Sequence, residues 1–133
     1  MQLVQNAAAR LVTGLRKFDH VKPTLRDLHW LPVRQRINYK VALLVYKCLH
    51  GLAPSYLADD CRPVSTMAGR RKLRSADTGM LVVPRTRTSI GARSFAVHGP
   101  TIWNKLPVEL RLSGLSADSF TKRLKTYLME NIL

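Results

Sequence analysis

From residue 62 to residue 93 the chain loses the helical spacing of apolar residues that runs before and after it, and that interruption limits the folds open to it. Eight basic side chains (Arg62, Arg70, Arg71, Lys72, Arg74, Arg85, Arg87 and Arg93) stand there against one acid, Asp77. Gly69, Gly79, Gly91, Pro63 and Pro84 punctuate the stretch, and only Met80 to Val83 has the β-branched, apolar look of a short strand. A connection of this length in a compact domain is a functional segment or a disordered one. It reads as an extended basic arm or a long loop. The organisation expected is an N-terminal helical region over 1–61, the arm over 62–93 and a C-terminal helical region over 94–133, together one domain. The fold class is mainly α: about three main helices with short helical turns, and an arm holding at most a short strand.

The helices are read from spacing. Leu3, Val4, Ala7, Ala8, Leu11, Val12 and Leu15 recur at three and four, the stripe of an amphipathic helix that ends near Gly14. Pro23 opens a short helix through Leu28, because proline at the first helical position gives up no hydrogen bond. Pro32 disfavours helical backbone at Leu31 and starts the longest helix, Val33 to Leu49, which Gly51 closes in a left-handed conformation. Its expected apolar face is Val33, Ile37, Val41, Leu44, Val45, Cys48 and Leu49, with Arg34, Arg36, Lys40 and Lys47 mostly elsewhere. One or two helical turns follow Pro54. After the arm, order resumes at Phe95, with Gly99-Pro100 as a turn, a short helix from Thr101 to Leu106 and another opened by Pro107. Ser116 caps the last helix, Asp118 suits its positive end, and Leu115 is placed to staple onto Phe120. Phe120, Leu124, Tyr127 and Leu128 form its apolar stripe, with Lys122, Arg123 and Lys125 on the other side.

Charge points to a polyanionic partner. Twenty-two Lys and Arg against eight Asp and Glu leave a net +14, favouring nucleic acid first and an anionic membrane surface second. The longest apolar run, Val41 to Tyr46, falls far short of the ~20 residues a membrane span requires. Cys48 and Cys61 form no C-x-x-C pair and indicate neither a disulfide framework nor a zinc motif, and Cys48 reads as packed core. The four histidines lack metal-ligand spacing, and no glycine-rich phosphate loop or G-x-S-x-G elbow occurs. Leu57-Ala58-Asp59-Asp60 looks like the paired aspartates of a polymerase metal box, but it lacks flanking apolar strands and a suitable upstream aspartate. It reads as a helix end or turn. No catalytic residue and no cofactor is expected.

The candidate nucleic-acid-binding residues are Arg70, Arg71, Lys72, Arg74, Arg85, Arg87 and Arg93. Arginine offers a planar fork that grips two phosphate oxygens. In an extended Arg85-Thr86-Arg87-Thr88 the arginines face one side and the threonines the other. Phe95, Trp103 and Tyr39 are candidates for stacking on bases, with core packing the first reading of Phe95 and Trp103. Gly69-Arg70-Arg71-Lys72-Leu73-Arg74 resembles a nuclear-import patch, and a solvated basic loop explains it equally well. The first fifteen residues lack the charged start and apolar centre of a secretion signal, so an intracellular, nuclear location is expected.

Several strings, in order along nearly the whole chain, carry a resemblance. Leu3-Val4-Gln5-Asn6-Ala7-Ala8-Ala9-Arg10-Leu11-Val12, Leu25-Arg26-Asp27-Leu28-His29-Trp30-Leu31-Pro32-Val33 and Tyr46-Lys47-Cys48-Leu49-His50-Gly51-Leu52-Ala53-Pro54 come first. Pro84-Arg85-Thr86-Arg87-Thr88, Arg93-Ser94-Phe95-Ala96-Val97 and Trp103-Asn104-Lys105-Leu106-Pro107 follow. They resemble the C-terminal tail of the reverse transcriptase of non-LTR (LINE-type) retrotransposons, of the jockey and chicken-repeat kind. The resemblance implies a fragment of a larger polyprotein whose endonuclease and RNA-directed DNA polymerase, with their metal-binding aspartates, lie upstream. It implies a tail that is not itself an enzyme and that binds RNA or DNA through phosphates and packs on the upstream polymerase domain. Some elements of this class end in a zinc knuckle, which this chain lacks. The alternative is a non-functional remnant or a protein-interaction module whose apolar helix faces packed on that polymerase. The oligomeric state is open.

Overall fold

A computed structural model describes residues 1–69, 71, 74–112 and 114–132, with the backbone alone at 75 and 76. The chain is mainly helical, as its periodicity predicts, with seven α-helices among the described residues. It divides into two compact units, Met1–Tyr39 with Lys122–Leu133, and Lys40–Thr121. Among the described residues no helix is long and apolar enough to cross a membrane.

In the first unit α1 spans Gln2–Thr13 and α2 spans Val21–Asp27. Helix α2 begins two residues ahead of Pro23, which still lies in the first turn, where backbone N–H groups have no carbonyl within the helix. A small cluster of Ala9, Val21 and Leu25 forms between the two helices, with Leu28 and Trp30 packed on it. After α2 the chain turns through His29 at φ 53°, a left-handed conformation costing an ordinary side chain roughly 1 kcal/mol. The turn closes because Trp30 N–H donates to the Leu25 carbonyl at 2.8 Å and His29 N–H to that of Arg26 at 3.0 Å.

Helix α1 docks by the face opposite to its apolar stripe. Leu3, Val4, Leu11 and Val12 are 83%, 73%, 85% and 65% exposed, whereas Ala9 is fully buried. Polar side chains on the Ala9 side make the attachments. Gln5 Nε2 donates to the Leu31 carbonyl at 2.8 Å and Gln2 Oε1 accepts from Val33 N–H at 2.8 Å, while within the helix Gln2 Nε2 donates to Asn6 Oδ1 at 2.8 Å. The stripe correctly marks a helix, but the Leu31 carbonyl and the Val33 N–H beside Pro32 take their partners from the side-chain amides of the opposite face. An unpaired buried group of this kind costs about 1–3 kcal/mol, enough to set which face turns inward.

The second unit is built on α3 (Val33–Leu49) from Lys40 onward, its first two turns belonging to the first unit, with α4 (Ser55–Ala58), α5 (Phe95–Lys105), α6 (Val108–Arg111) and the start of α7 (Ala117–Glu130). Gly51, at φ 68°, ends α3 as expected: Leu52 N–H donates to the Lys47 carbonyl at 2.8 Å and Gly51 N–H to that of Cys48 at 3.4 Å. The buried residues of α3 are Ala42, Val45, Tyr46 and Cys48, so its inner face is centred further round than the sequence suggests, and Ile37 is 52% exposed. Tyr46 explains the shift. Its ring stacks on Phe120 with centroids 4.3 Å apart, Phe120 lies 5.9 Å from Trp103, and the Tyr46 hydroxyl donates to the Leu115 carbonyl. An aromatic column outweighs the aliphatic stripe, because each ring buries more area and its polar tip still finds a partner.

Gly99-Pro100 is not a turn. Both residues lie inside α5, where Gly99 lets the backbone approach, since a Cβ there would stand 3.1 Å from the Phe95 ring and 3.2 Å from Val45 Cγ2. Pro100 is among the most completely buried side chains, and that packing offsets the hydrogen bond its ring forfeits. Ser116 caps α7 as expected, its Oγ accepting from Ser119 N–H at 3.4 Å, and Phe120, Leu124 and Leu128 are buried.

The reversed docking of α1 has a measurable signature. Leu3→Gln and Leu11→Gln should each change the unfolding free energy by no more than about 0.5 kcal/mol. Gln5→Ala, which strands the Leu31 carbonyl, should cost about 1 kcal/mol. Urea titration followed by circular dichroism measures both, and a greater loss at Leu11 than at Gln5 would return the apolar stripe to the core.

Candidate nucleic-acid interface

The basic stretch is not a free arm along its whole length, for its middle is anchored to α5. Pro63 and Leu81 form an antiparallel bridge, flanked by Val64 N–H donating to Met80 O at 2.9 Å and Val82 N–H to Arg62 O at 2.8 Å. In this register the N–H and C=O of Leu81 point away from Pro63. Asn104 takes both: its Oδ1 accepts from Leu81 N–H at 2.8 Å, and its Nδ2 donates to the Leu81 carbonyl at 2.9 Å. Two residues earlier the Gly79 carbonyl accepts from Trp103 Nε1 at 3.0 Å. Gly79 has φ 69°, a left-handed backbone that favours glycine. The expected strand over Met80 to Val83 therefore reduces to one bridging residue, Leu81, because α5 supplies the second set of partners that a neighbouring strand would give.

Around this anchor the candidate residues are distributed as follows. Arg71 is exposed, and Arg74, also exposed, starts a tight helical turn over Arg74–Thr78. Arg70 and Lys72 lie outside the described residues. Arg85 and Arg87 are exposed on irregular backbone, and Arg93, exposed as well, ends the turn Gly91–Arg93. Thr88 Oγ1 accepts from Gly91 N–H at 3.0 Å, and a Cβ at Gly91 would stand 3.4 Å from Thr86 Cβ. Thr88 thus braces the Gly91 turn, and Arg85, Thr86, Arg87 and Thr88 are all exposed.

Of the aromatic candidates, Trp103 is 1% exposed and belongs to the core. Phe95 is half-buried, its ring against Gly99. Tyr39 is half-buried as well and lines a groove of about 650 Å³ in the first unit, together with Val4 and Ala8 of α1, Trp30, Arg36 and Lys125. His29 and Lys125 also border an adjoining hollow whose wall includes Arg26, Lys122 and Glu130. Sequence reading missed this site, because Trp30, Arg36 and Lys125 belong to three separate segments and no local pattern joins them.

The remaining titratable groups are held in structure. Asp59 and Asp60 form the turn after α4. His50 Nδ1 donates to the Tyr46 carbonyl at 2.8 Å while its ring stacks on Tyr46 at 4.0 Å. Cys48 and Cys61 are buried free thiols. Burial, reinforced by the neighbouring Cys48 thiol, pushes Cys61 up to about 12, and burial also raises Cys48. Neither is a thiolate near neutral pH, so neither suits nucleophilic chemistry as it stands. Among the described residues no three His, Cys, Asp or Glu side chains gather as a metal site. Comparison with models of protein families, with curated proteins and with solved structures finds no match to the chain.

Two outcomes follow from this geometry. Asn104→Ala strands both main-chain groups of buried Leu81 and should cost about 2–3 kcal/mol in a urea titration, with a loss under 1 kcal/mol showing that water replaces the amide. The raised Cys61 pKa sets a pH dependence. Below the ordinary thiol range both states hold the proton and stability is intact; above that range only the unfolded state releases it, so stability falls until about pH 12. Cys61→Ala should fall less steeply over that window, whereas parallel curves would mean that Cys61 ionises alike in both states.

Proposed function

We propose that this chain is a nucleic-acid-binding segment that grips phosphates and performs no chemistry of its own, the C-terminal tail of a reverse transcriptase of the non-LTR retrotransposon type. One observation carries the binding reading: Arg71, Arg74, Arg85, Arg87 and Arg93 are all exposed on a stretch whose middle is pinned to α5. The stretch holds about half of the chain's net +14. Guanidinium groups presented in this way favour phosphate oxygens over any neutral partner, and little of their attraction depends on base sequence. The ordered string resemblance supports the retrotransposon origin, and a nuclear location follows from the same reading.

A second reading rests on α1. Leu3, Val4, Leu11 and Val12 form an exposed apolar face that suits packing on another protein, such as an upstream polymerase domain.

Salt titration tests the first reading. With ~6 phosphate contacts, log affinity falls against log salt with a slope of about −5, for any sequence. Neutralising Arg85, Arg87 and Arg93 together should flatten that slope by about 3, as read by fluorescence anisotropy on labelled oligonucleotides. Absence of affinity in low salt, or an affinity indifferent to salt, would overturn it and leave the reading through α1.

A further inference from the structure

We infer that the groove between α1 and α3 is a second nucleic-acid contact, one that takes an unpaired base against Trp30 and Tyr39 and its flanking phosphates on Arg36 and Lys125. The inference rests on the nucleic-acid reading and names the form of nucleic acid that reading leaves open. Three observations lead to it.

The first is composition. A groove of about 650 Å³ lies within the ~300–1,000 Å³ range of small-ligand sites and brings two half-buried aromatic rings together with a guanidinium and an ammonium group. Contacts to single strands are built from flat π faces for bases beside cations for the backbone. Duplex DNA presents no free base face, so it gains nothing from the rings. The second is continuity of charge. Lys125 borders both this groove and the adjoining hollow, where Arg26 and Lys122 outnumber Glu130, so cations continue for a backbone leaving the groove. The third is His29, which borders both hollows and places a hydrogen-bonding imidazole residue between them, its left-handed backbone being the turn that closes α2.

The site also carries its own reporter. The chain has two tryptophans, and Trp103 is 1% exposed, so an emission change on binding that is lost in Trp30→Leu reports Trp30. The experiment titrates the full chain with an oligothymidylate of about 12 nucleotides, a blunt duplex of similar length, and a helical peptide with leucine on one face and glutamate on the other. Oligothymidylate should quench Trp30 emission and the duplex should not. Oligouridylate should act like oligothymidylate, because the groove asks for a base face and a phosphate. Trp30→Leu keeps an apolar side chain on the Ala9–Val21–Leu25 cluster and should weaken single-strand affinity about 10-fold while changing duplex affinity by less than about twofold. Arg36→Gln, which leaves that cluster untouched, should weaken single-strand affinity in the same direction.

Single-strand binding without quenching, and unaffected by either substitution, overturns the groove and leaves the phosphate reading standing. Quenching by the acidic peptide alone overturns it in favour of a protein partner. Failure of strand and duplex alike in low salt overturns both readings together.

Discussion

The column of Tyr46, Phe120 and Trp103 is the constraint on which the Lys40–Thr121 unit depends. It joins three helices distant in sequence, and each polar edge in it is used: the Tyr46 hydroxyl on the Leu115 carbonyl, Trp103 Nε1 on the Gly79 carbonyl. Fully burying a ring the size of Phe120 contributes about 2–3 kcal/mol, and the unit rests on few other buried side chains of that size. The column also fixes how α3 is rolled from Lys40 onward, with Ala42 inside. Because Trp103 and Asn104 are adjacent on α5, the helix that completes the aromatic core is the one that holds the basic stretch.

That coupling bears on recognition. A wholly disordered arm loses backbone freedom when its arginines are ordered on a polyanion, at about 1–2 kcal/mol for each residue fixed. Here part of that ordering is complete beforehand, because residues 79–82 are held to α5 and to residues 62–64. The side chains of Arg85, Arg87 and Arg93 stay free to turn while their attachment point does not wander far.

Several helix ends were legible in the sequence, and so was the buried face of α7, but the inner faces of α1 and α3 were not. Pro32 and Gly51 marked α3, Ser116 marked the start of α7, and Gly14 marked the end of α1, since each acts through its own backbone or the adjacent turn. Faces depend on distant partners. The stripe of α1 says which side is apolar but not that Gln2 and Gln5 are needed at Val33 and Leu31, and nothing local to Gly99-Pro100 announces Val45 across the core. The arginines of the basic stretch were legible as a group because exposure needs no partner. The groove was not, since Trp30, Arg36 and Lys125 become neighbours only through tertiary packing.

Asn104 has one more implication. An isolated extended residue leaves on its outer side an open donor and acceptor, the pair by which exposed β-structure recruits another chain. At Leu81 those two groups are occupied by a carboxamide of the same molecule, and on the other side of the bridge Pro63 has no N–H to offer. The lone piece of β-structure among the described residues is therefore terminated on both flanks. A long, positively charged connection can hold one extended residue in its interior without becoming a seed for intermolecular sheet growth.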